Sequence, residues 1–440
     1  MKYEKTLEDA KKDFESSILL GLEEFVRIDN LSPDFNPEWE TNGKAEKAGM
    51  HLINWAKAQG IKGLKAELYK EPGMTHMVLI EIEPQGIDKT VLLYGRGASD
   101  DGYALFAIVE SIKLIQQQNG KHGRIVVTIE SGEESGSPDL VPYLKKLKDR
   151  IGNPDLMICM DSGCKDYYSL WLTTSLRGVA AFEVEVECLK ESVHSGTGSG
   201  VAPDSFTVLR LLLDRLDDPK TSNVVAPLHV EIPKYRIEDA EKLAAYQKEK
   251  VVTDLVKLGD GVKPLTEDYK EAILNNTWRP TVVVTGMTGF PAAEGAGNVL
   301  RYKTKAKLSI RLPPTFNCKD AEKVVTEVLT KDPPYNSKIT VKVVNSGNGW
   351  AAKDMHQSLK KSFSESSKFL FGKDYYNCGE GGSIPFIAEL GELYPQCEIL
   401  VTGVLGPGSN AHCLNECLNL DYTTKMIVAL AHAIHDFCNQ

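Results

Sequence analysis

The chain has 440 residues, of which 42% are hydrophobic and 25% charged, and its formal net charge is −10. That length accommodates two large domains or about three of average size, and the balance is that of a soluble globular chain. The acidic balance and the lack of a basic cluster exclude a nucleic-acid partner, and no run is apolar enough for a membrane helix. The nine Cys are dispersed without a CxxC pair, and the charged opening "MKYEKTLEDAKKDFESSILL" does not read as a signal peptide, so a cytoplasmic protein with reduced thiols is expected.

In chain order, residues 7–28 have helical periodicity through Phe14, Ile18, Leu22 and Phe25, ending at "DNLSP". Short β-rich runs follow: "MVLIEIE", "TVLLY", "RIVVTIE" and "DLMICMD". Helical patterns are interleaved with them, one from Asp101 through Leu105, Ile108, Val109, Ile112 and Ile115, another in "LVPYLKKL". This is the texture of an α/β domain with a mostly parallel sheet and flanking helices. After Arg177 the strands alternate: "AFEVEVE", "AKLSIRL" and "KITVKVV" each place apolar residues on one face and charged or polar ones on the other, with "SFTVLRLLLDRL" and "DAEKVVTEVL" as helices among them. Residues 216–277, polar and rich in Lys and Glu, read as an elaboration of this second, α+β domain. From about Asp354 the first texture returns, with a helix from His356, the strand "EILVTGVL" and the final helix "DYTTKMIVALAHAIHDF". The expected organisation is a discontinuous domain, 1–178 and 351–440, interrupted by an inserted domain over 179–350.

Acidic residues collect just past the carboxyl ends of the inferred strands, the edge where open α/β sheets bind ligands. Asp100, Glu133, Glu134, Asp161 and His412 are placed there. Each alone has a plainer reading: Asp101 as a helix N-cap, Asp100 as a turn residue, the Glu pair as a solvated loop, His412 as a structural histidine. Together, several carboxylates and an imidazole at one edge call for a divalent cation, and this donor set suits zinc or manganese. The glycine-rich "HSGTGSGVAP" lacks a P-loop lysine and follows an amphipathic strand, so a turn is the better reading than a phosphate cradle.

The motifs "YGRGASDDG", "ESGEESGS", "LTTSLRGVAAFEVEVE", "VHSG", "GNVL", "KLSIRLPP", "GEGGSIP" and "GPGSNAHCLNE" occur in one order along nearly the whole chain. In this the sequence resembles the carnosinase, aminoacylase and carboxypeptidase G family of di-metal peptidases, and within it the cytosolic non-specific dipeptidases. The resemblance implies a metallopeptidase cleaving dipeptides or short peptides, with a ferredoxin-like insertion serving as lid and homodimerisation domain. It makes Asp100 the carboxylate bridging two metals, joined to Asp101 by a cis peptide. Glu134 and His412 complete one metal's ligands, Asp161 binds the other, and Glu133 is the general base. His194 matches a histidine that reaches across the dimer to the oxyanion, Arg311 a residue that holds the substrate carboxylate, and Asn298, Gly382 and Ser383 further substrate contacts. For His194 and Arg311, the residues themselves suggest no more than ordinary surface positions.

The sequence departs from the family at one place. The strand resembling "TVLLYG" continues in the family into a His-x-Asp motif and a long loop, which returns through a second Tyr-Gly to the Arg-Gly motif. Here Gly95 passes straight to Arg96. One metal keeps three protein ligands, Asp100, Glu134 and His412, as a catalytic site with an open position requires. The other keeps only Asp100 and Asp161. Three expectations stand side by side: a dipeptidase with one well-formed metal site, a catalytically silent dimeric binding or scaffold homologue, and a shortened version of an active dipeptidase.

Overall fold

The computed structural model describes residues 1–96, 102–382, 385–411, 413 and 415–440. They form two compact units. The first comprises Met1–Thr174, Ala352–Cys378 and Glu389–Gln440, and the second Ser175–Ala351 with Gly379–Ala388.

The first unit is built on a mixed sheet. Its strands lie in the order Leu64–Tyr69, Met77–Ile82, Arg124–Glu130, Thr90–Arg96, Leu156–Cys159, Glu398–Val401 and Trp171–Leu176, and the chain passes into the second unit within the last of these. The four central strands, from Arg124–Glu130 to Glu398–Val401, are parallel to one another. The flanking pairs are antiparallel. The parallel arrangement follows from burial on both faces: Val91, Leu92, Leu93 and Tyr94 are all buried, so their strand reads as a continuous apolar run. The edge strand Leu64–Tyr69 alternates half-buried and exposed positions, and its polar sequence "LKAELY" lacks the β-branched residues that mark a strand.

The helix Tyr103–Gln117 is buried over most of its circumference, as is the final helix Leu420–Cys438. Ser111 Oγ, on the first, donates to Ile427 O of the second at 3.1 Å. The N-terminal segment is a helix, Tyr3–Asp13, continued through a π-turn at Phe14–Ile18 into Leu19–Val26. Its start is fastened to the final helix by the Tyr3 ring, which stacks on His432 at 3.7 Å, and by Thr6 Oγ1, 3.2 Å from His432 Nε2.

Burial holds the His432 imidazole neutral down to a pKa of about 4, against a partly offsetting pull from Asp436. Unfolded chains protonate the same residue near 6.5, so between these values the unfolded state binds more protons and stability falls as pH falls. His432→Gln removes this term. Relative to that variant, the wild type is expected to lose about 2 kcal/mol of stability between pH 7.5 and pH 5. Urea unfolding of both proteins at the two pH values checks it, and an unchanged difference contradicts it.

The second unit contains a four-stranded antiparallel sheet in the order Lys338–Gly347, Gly178–Glu187, Lys303–Leu312, Thr281–Thr288. With the helices Ser205–Leu213 and Cys318–Thr330 in the chain between strands, this is the βαββαβ order of a ferredoxin-like fold. Strict alternation along Gly178–Glu187 sends Phe182, Val184 and Val186 into a core completed by Leu209, Leu212, Leu308 and Val325. The other face carries charges in register: Lys305 opposes Glu185, and Lys303 Nζ lies 3.5 Å from Glu185. These half-exposed pairs contribute little individually, but they keep that face polar. Within residues 216–277 the chain forms the helices Lys234–Gln247, Lys250–Thr253 and Tyr269–Thr277. The short segment Gly379–Ala388, which contains "GEGGSIP", clusters with this unit even though its sequence neighbours lie in the first.

Candidate active site

Register decides where the parallel strands of the first unit stop. Arg96 is opposite Glu130, Tyr94 is opposite Cys159, and Cys159 is opposite Val401. Met160 N–H donates to Tyr94 O at 3.0 Å and Thr402 N–H to Cys159 O at 2.9 Å, which extends the ladder by one step. The residues that follow these strand ends therefore emerge at one carboxyl edge, where Glu133, Glu134 and Asp161 stand. The junction between Gly95 and Arg96 lies inside this ladder, with Gly95 opposite Ile129.

Asp161 is 3% exposed. The chain around it is held from several sides: Tyr103 Oη donates to Met160 O at 2.9 Å, Ser162 and Thr173 hydroxyls lie 2.7 Å apart, and Cys164 N–H donates to Leu405 O at 2.8 Å. Gly403 permits the closest approach. A Cβ there would fall 1.7 Å from the carbonyl oxygen of Ser162, so the segment after Glu398–Val401 packs directly on the segment after Asp161.

Glu133 and Glu134 open a short 3₁₀ turn, Glu133–Ser135, and are both half-buried. The turn closes with Gly136 N–H donating to Glu133 O at 2.7 Å, and Gly136 takes a φ of 82° that a glycine adopts freely. Ser131 N–H and Oγ both donate to His76 O, at 3.2 and 2.9 Å. On the other side Ser135 Oγ meets Ser32 Oγ at 2.9 Å and accepts from Asp34 N–H at 3.0 Å. Two segments distant in sequence thus brace a loop whose own sequence is only Gly, Ser and Glu.

Beneath the edge lies a polar group that sequence reasoning assigned no role. Tyr94 Oη donates to Glu130 Oε1, which also accepts from Ser137 Oγ at 2.9 Å, and both Tyr94 and Glu130 are buried. Burial, reinforced by the Glu130 and Asp161 carboxylates, pushes the Tyr94 phenol well above its ordinary range, so it remains a donor. The available signal was the final Glu of "RIVVTIE", a charge ending an otherwise apolar run.

The second unit holds another set. His194 and Asn298 are brought together: His194 pairs with Val299 in a two-residue ladder, and Ser195 N–H donates to Asn298 O at 2.9 Å. Both are exposed, and His194 Nδ1 accepts from Gly196 N–H at 3.1 Å. Arg311 is half-buried between Ile310 and Leu312, which are fully buried, so it stands on the sheet face opposite the core. Gly382 is exposed, and its carbonyl accepts from Arg177 N–H at 3.1 Å. Asp100, His412 and Ser383, with the Asp100–Asp101 peptide, lie outside the described residues. Among the described residues, no group of three or more His, Cys, Asp or Glu side chains is arranged to hold a metal ion.

A family model for peptidase family M20/M25/M40 matches residues 80–436. Among characterised relatives, a cysteinylglycine-S-conjugate dipeptidase of Corynebacterium striatum is 28% identical over 348 residues, covering 77% of this chain and 72% of its own. A Cys-Gly metallodipeptidase of Schizosaccharomyces pombe is 24% identical over 376 residues, covering 80% and 74%. Among solved structures, an M20 family metallo-carboxypeptidase from Sulfolobus solfataricus shares the fold, with a TM-score of 0.70 at 19% identity, covering 96% of this chain and all of that one.

Proposed function

The chain belongs to peptidase family M20/M25/M40, and from that membership we propose that it is a metal-dependent hydrolase of the dipeptidase type. The observation that carries the reading is the placement of several acidic residues just past the carboxyl ends of the parallel strands, at one edge of the sheet. Asp161 and Glu130 are buried there, and the half-buried Glu133 and Glu134 come three and four residues after Glu130. Such a group is costly unless a cation offsets it.

Asp100, Glu134, Asp161 and His412 are assigned as the metal-holding residues, an oxygen and nitrogen set that fits Zn2+ or Mn2+. A divalent ion so held supplies Lewis acidity to the scissile carbonyl and acidifies water. Glu133 accepts the proton of the attacking water and delivers it to the leaving amine. Arg311 holds the free carboxylate of the peptide as a two-point hydrogen bond, with Asn298, Gly382 and Ser383 as neighbouring contacts. His194 steadies the oxyanion from the second subunit of a homodimer. Scattered free thiols suit a cytoplasmic setting. Among the described residues no helix is long and apolar enough to cross a membrane.

The direct passage from Gly95 to Arg96 limits this site. Asp100, Glu134 and His412 give one ion three protein ligands, whereas Asp100 and Asp161 give a second only two carboxylates. Metal analysis of the purified protein is expected to find about one tightly held ion per chain, from the ligand number a catalytic zinc site requires. Dipeptide hydrolysis in added manganese or zinc is expected to be low. Two tightly bound ions with vigorous turnover would overturn the truncated-site reading.

The same junction favours a second reading, in which the chain is a silent homologue that dimerises and binds peptides. One ion with no turnover across a dipeptide panel selects it. A shortened version of an active dipeptidase is distinguished by sequencing the message across the codons for Gly95 and Arg96.

A further inference from the structure

Arg177 is a buried cation in the second unit, 6% exposed, and among the described residues its guanidinium donates to neutral oxygens. Its Nε donates to Gly381 O at 3.0 Å, and its Nη1 reaches Thr281 Oγ1 at 3.2 Å and the carbonyls of Asn275 and Arg279 at 3.4 Å. Its backbone N–H donates to Gly382 O at 3.1 Å. One residue thus ties the Gly379–Ala388 segment to the end of the helix Tyr269–Thr277 and to the start of the strand Thr281–Thr288. Asn275 O is among the last carbonyls of that helix, where partial negative charge collects and a cation is favoured.

The other neighbour is unusual. Burial first, and then the nearby charge of Arg311, lowers the Arg177 pKa to about 10, so Arg177 stays cationic at neutral pH. Register explains the approach: Leu312 and Arg311 oppose Gly178 and Val179, directly after Arg177. Two like charges near enough to influence each other, one of them buried, add their fields in a direction that favours an anion. Gly381 fits closely here, since a Cβ on it would lie 3.2 Å from Arg177 Nη2 and 3.0 Å from the Asn276 amide.

We propose that Arg177 is a positioning residue for carboxylate recognition: it holds the backbone of Gly381 and Gly382 in place beside Arg311 and adds its charge to the field that receives the peptide's free carboxylate. The proposal rests on the reading of Arg311 as the carboxylate contact and of Gly382 as a neighbouring substrate contact, and its test separates the proposal from that reading. In a Glu133→Gln background, which suppresses turnover, titration calorimetry measures the affinity of the full-length, metal-loaded protein for glycyl-leucine and for glycyl-leucinamide. Arg311→Gln is expected to abolish the preference for the acid. Arg177→Gln is expected to weaken acid binding by about 10- to 100-fold, the range for lost hydrogen bonds to charged groups, while amide binding changes by less than about threefold. Arg177→Lys, keeping the charge but not the fork, is expected to fall between.

No acid preference in the starting protein overturns the carboxylate reading, and this proposal with it. A preference lost in Arg177→Gln only in step with amide binding and with thermal stability reduces Arg177 to a structural residue and overturns the proposal alone. If the Arg177 variants do not fold, Thr281→Val removes one acceptor and leaves the buried cation. An acid-selective loss of about threefold then supports the proposal, and none overturns it.

Discussion

Glu133→Gln lowers dipeptide turnover, measured with added manganese or zinc, by about 10²- to 10⁴-fold, the usual worth of a positioned general base. The substitution keeps the size and shape of the side chain, removes its negative charge and its ability to accept a proton, and replaces one acceptor oxygen with an NH2 donor. The fold should not register the change, because Glu133 is half-buried and its turn is closed by backbone and serine contacts, Gly136 N–H to Glu133 O at 2.7 Å and Ser135 Oγ to Ser32 Oγ. Thermal stability within about 1 kcal/mol of the wild type, as for surface substitutions, is therefore part of the prediction. Metal content should also be unchanged, since Glu134 rather than Glu133 is assigned as a ligand. A variant retaining turnover within a few-fold of the parent, at equal metal content, would refute the assignment of Glu133 as base.

Gly403→Ala is expected to destabilise the first unit by about 3 kcal/mol, at the upper end of what overpacking costs. A Cβ at this position would meet three backbone atoms of Ser162, at 1.7, 2.4 and 2.7 Å. No side-chain rotamer change relieves a clash with backbone. The segment that must shift contains Asp161, so a second effect follows: loss of metal affinity greater than the fall in stability alone explains. Gly295→Ala, with nothing within 4 Å of the added Cβ, is the neutral reference. Equal urea midpoints for the two variants would contradict the packing argument.

Much of the candidate site was legible because its residues follow strand ends, and strand ends are marked locally. Asp161 comes two residues, and Glu133 and Glu134 three and four residues, after the end of a strand, and the structure sets those two strands on either side of Thr90–Arg96, both parallel to it. The braces on the site were not legible in this way. Glu130 was read as the last residue of a strand, Tyr94 as one of its neighbour's apolar residues, and neither sequence neighbourhood shows that they meet. The same holds for Thr75 and His76, which precede the strand Met77–Ile82 and flank the Glu133 loop only because that strand runs antiparallel to Arg124–Glu130.

By itself the sequence determined the class of each element and the chemistry available to it. A continuous apolar run requires burial on both faces, while the alternation of "AFEVEVE" requires one wet face, and both rules act over a few contiguous residues. The order of motifs along the chain likewise carried the family resemblance. Only the tertiary structure decided which elements share a sheet edge and what supports them. The Tyr94 bond to Glu130 spans 36 residues, and the Arg177 bond to Gly381 spans 204. Contacts at such separations are set by strand register and by which unit a short segment packs against. They depend on the packing of the whole chain, and no local pattern records them.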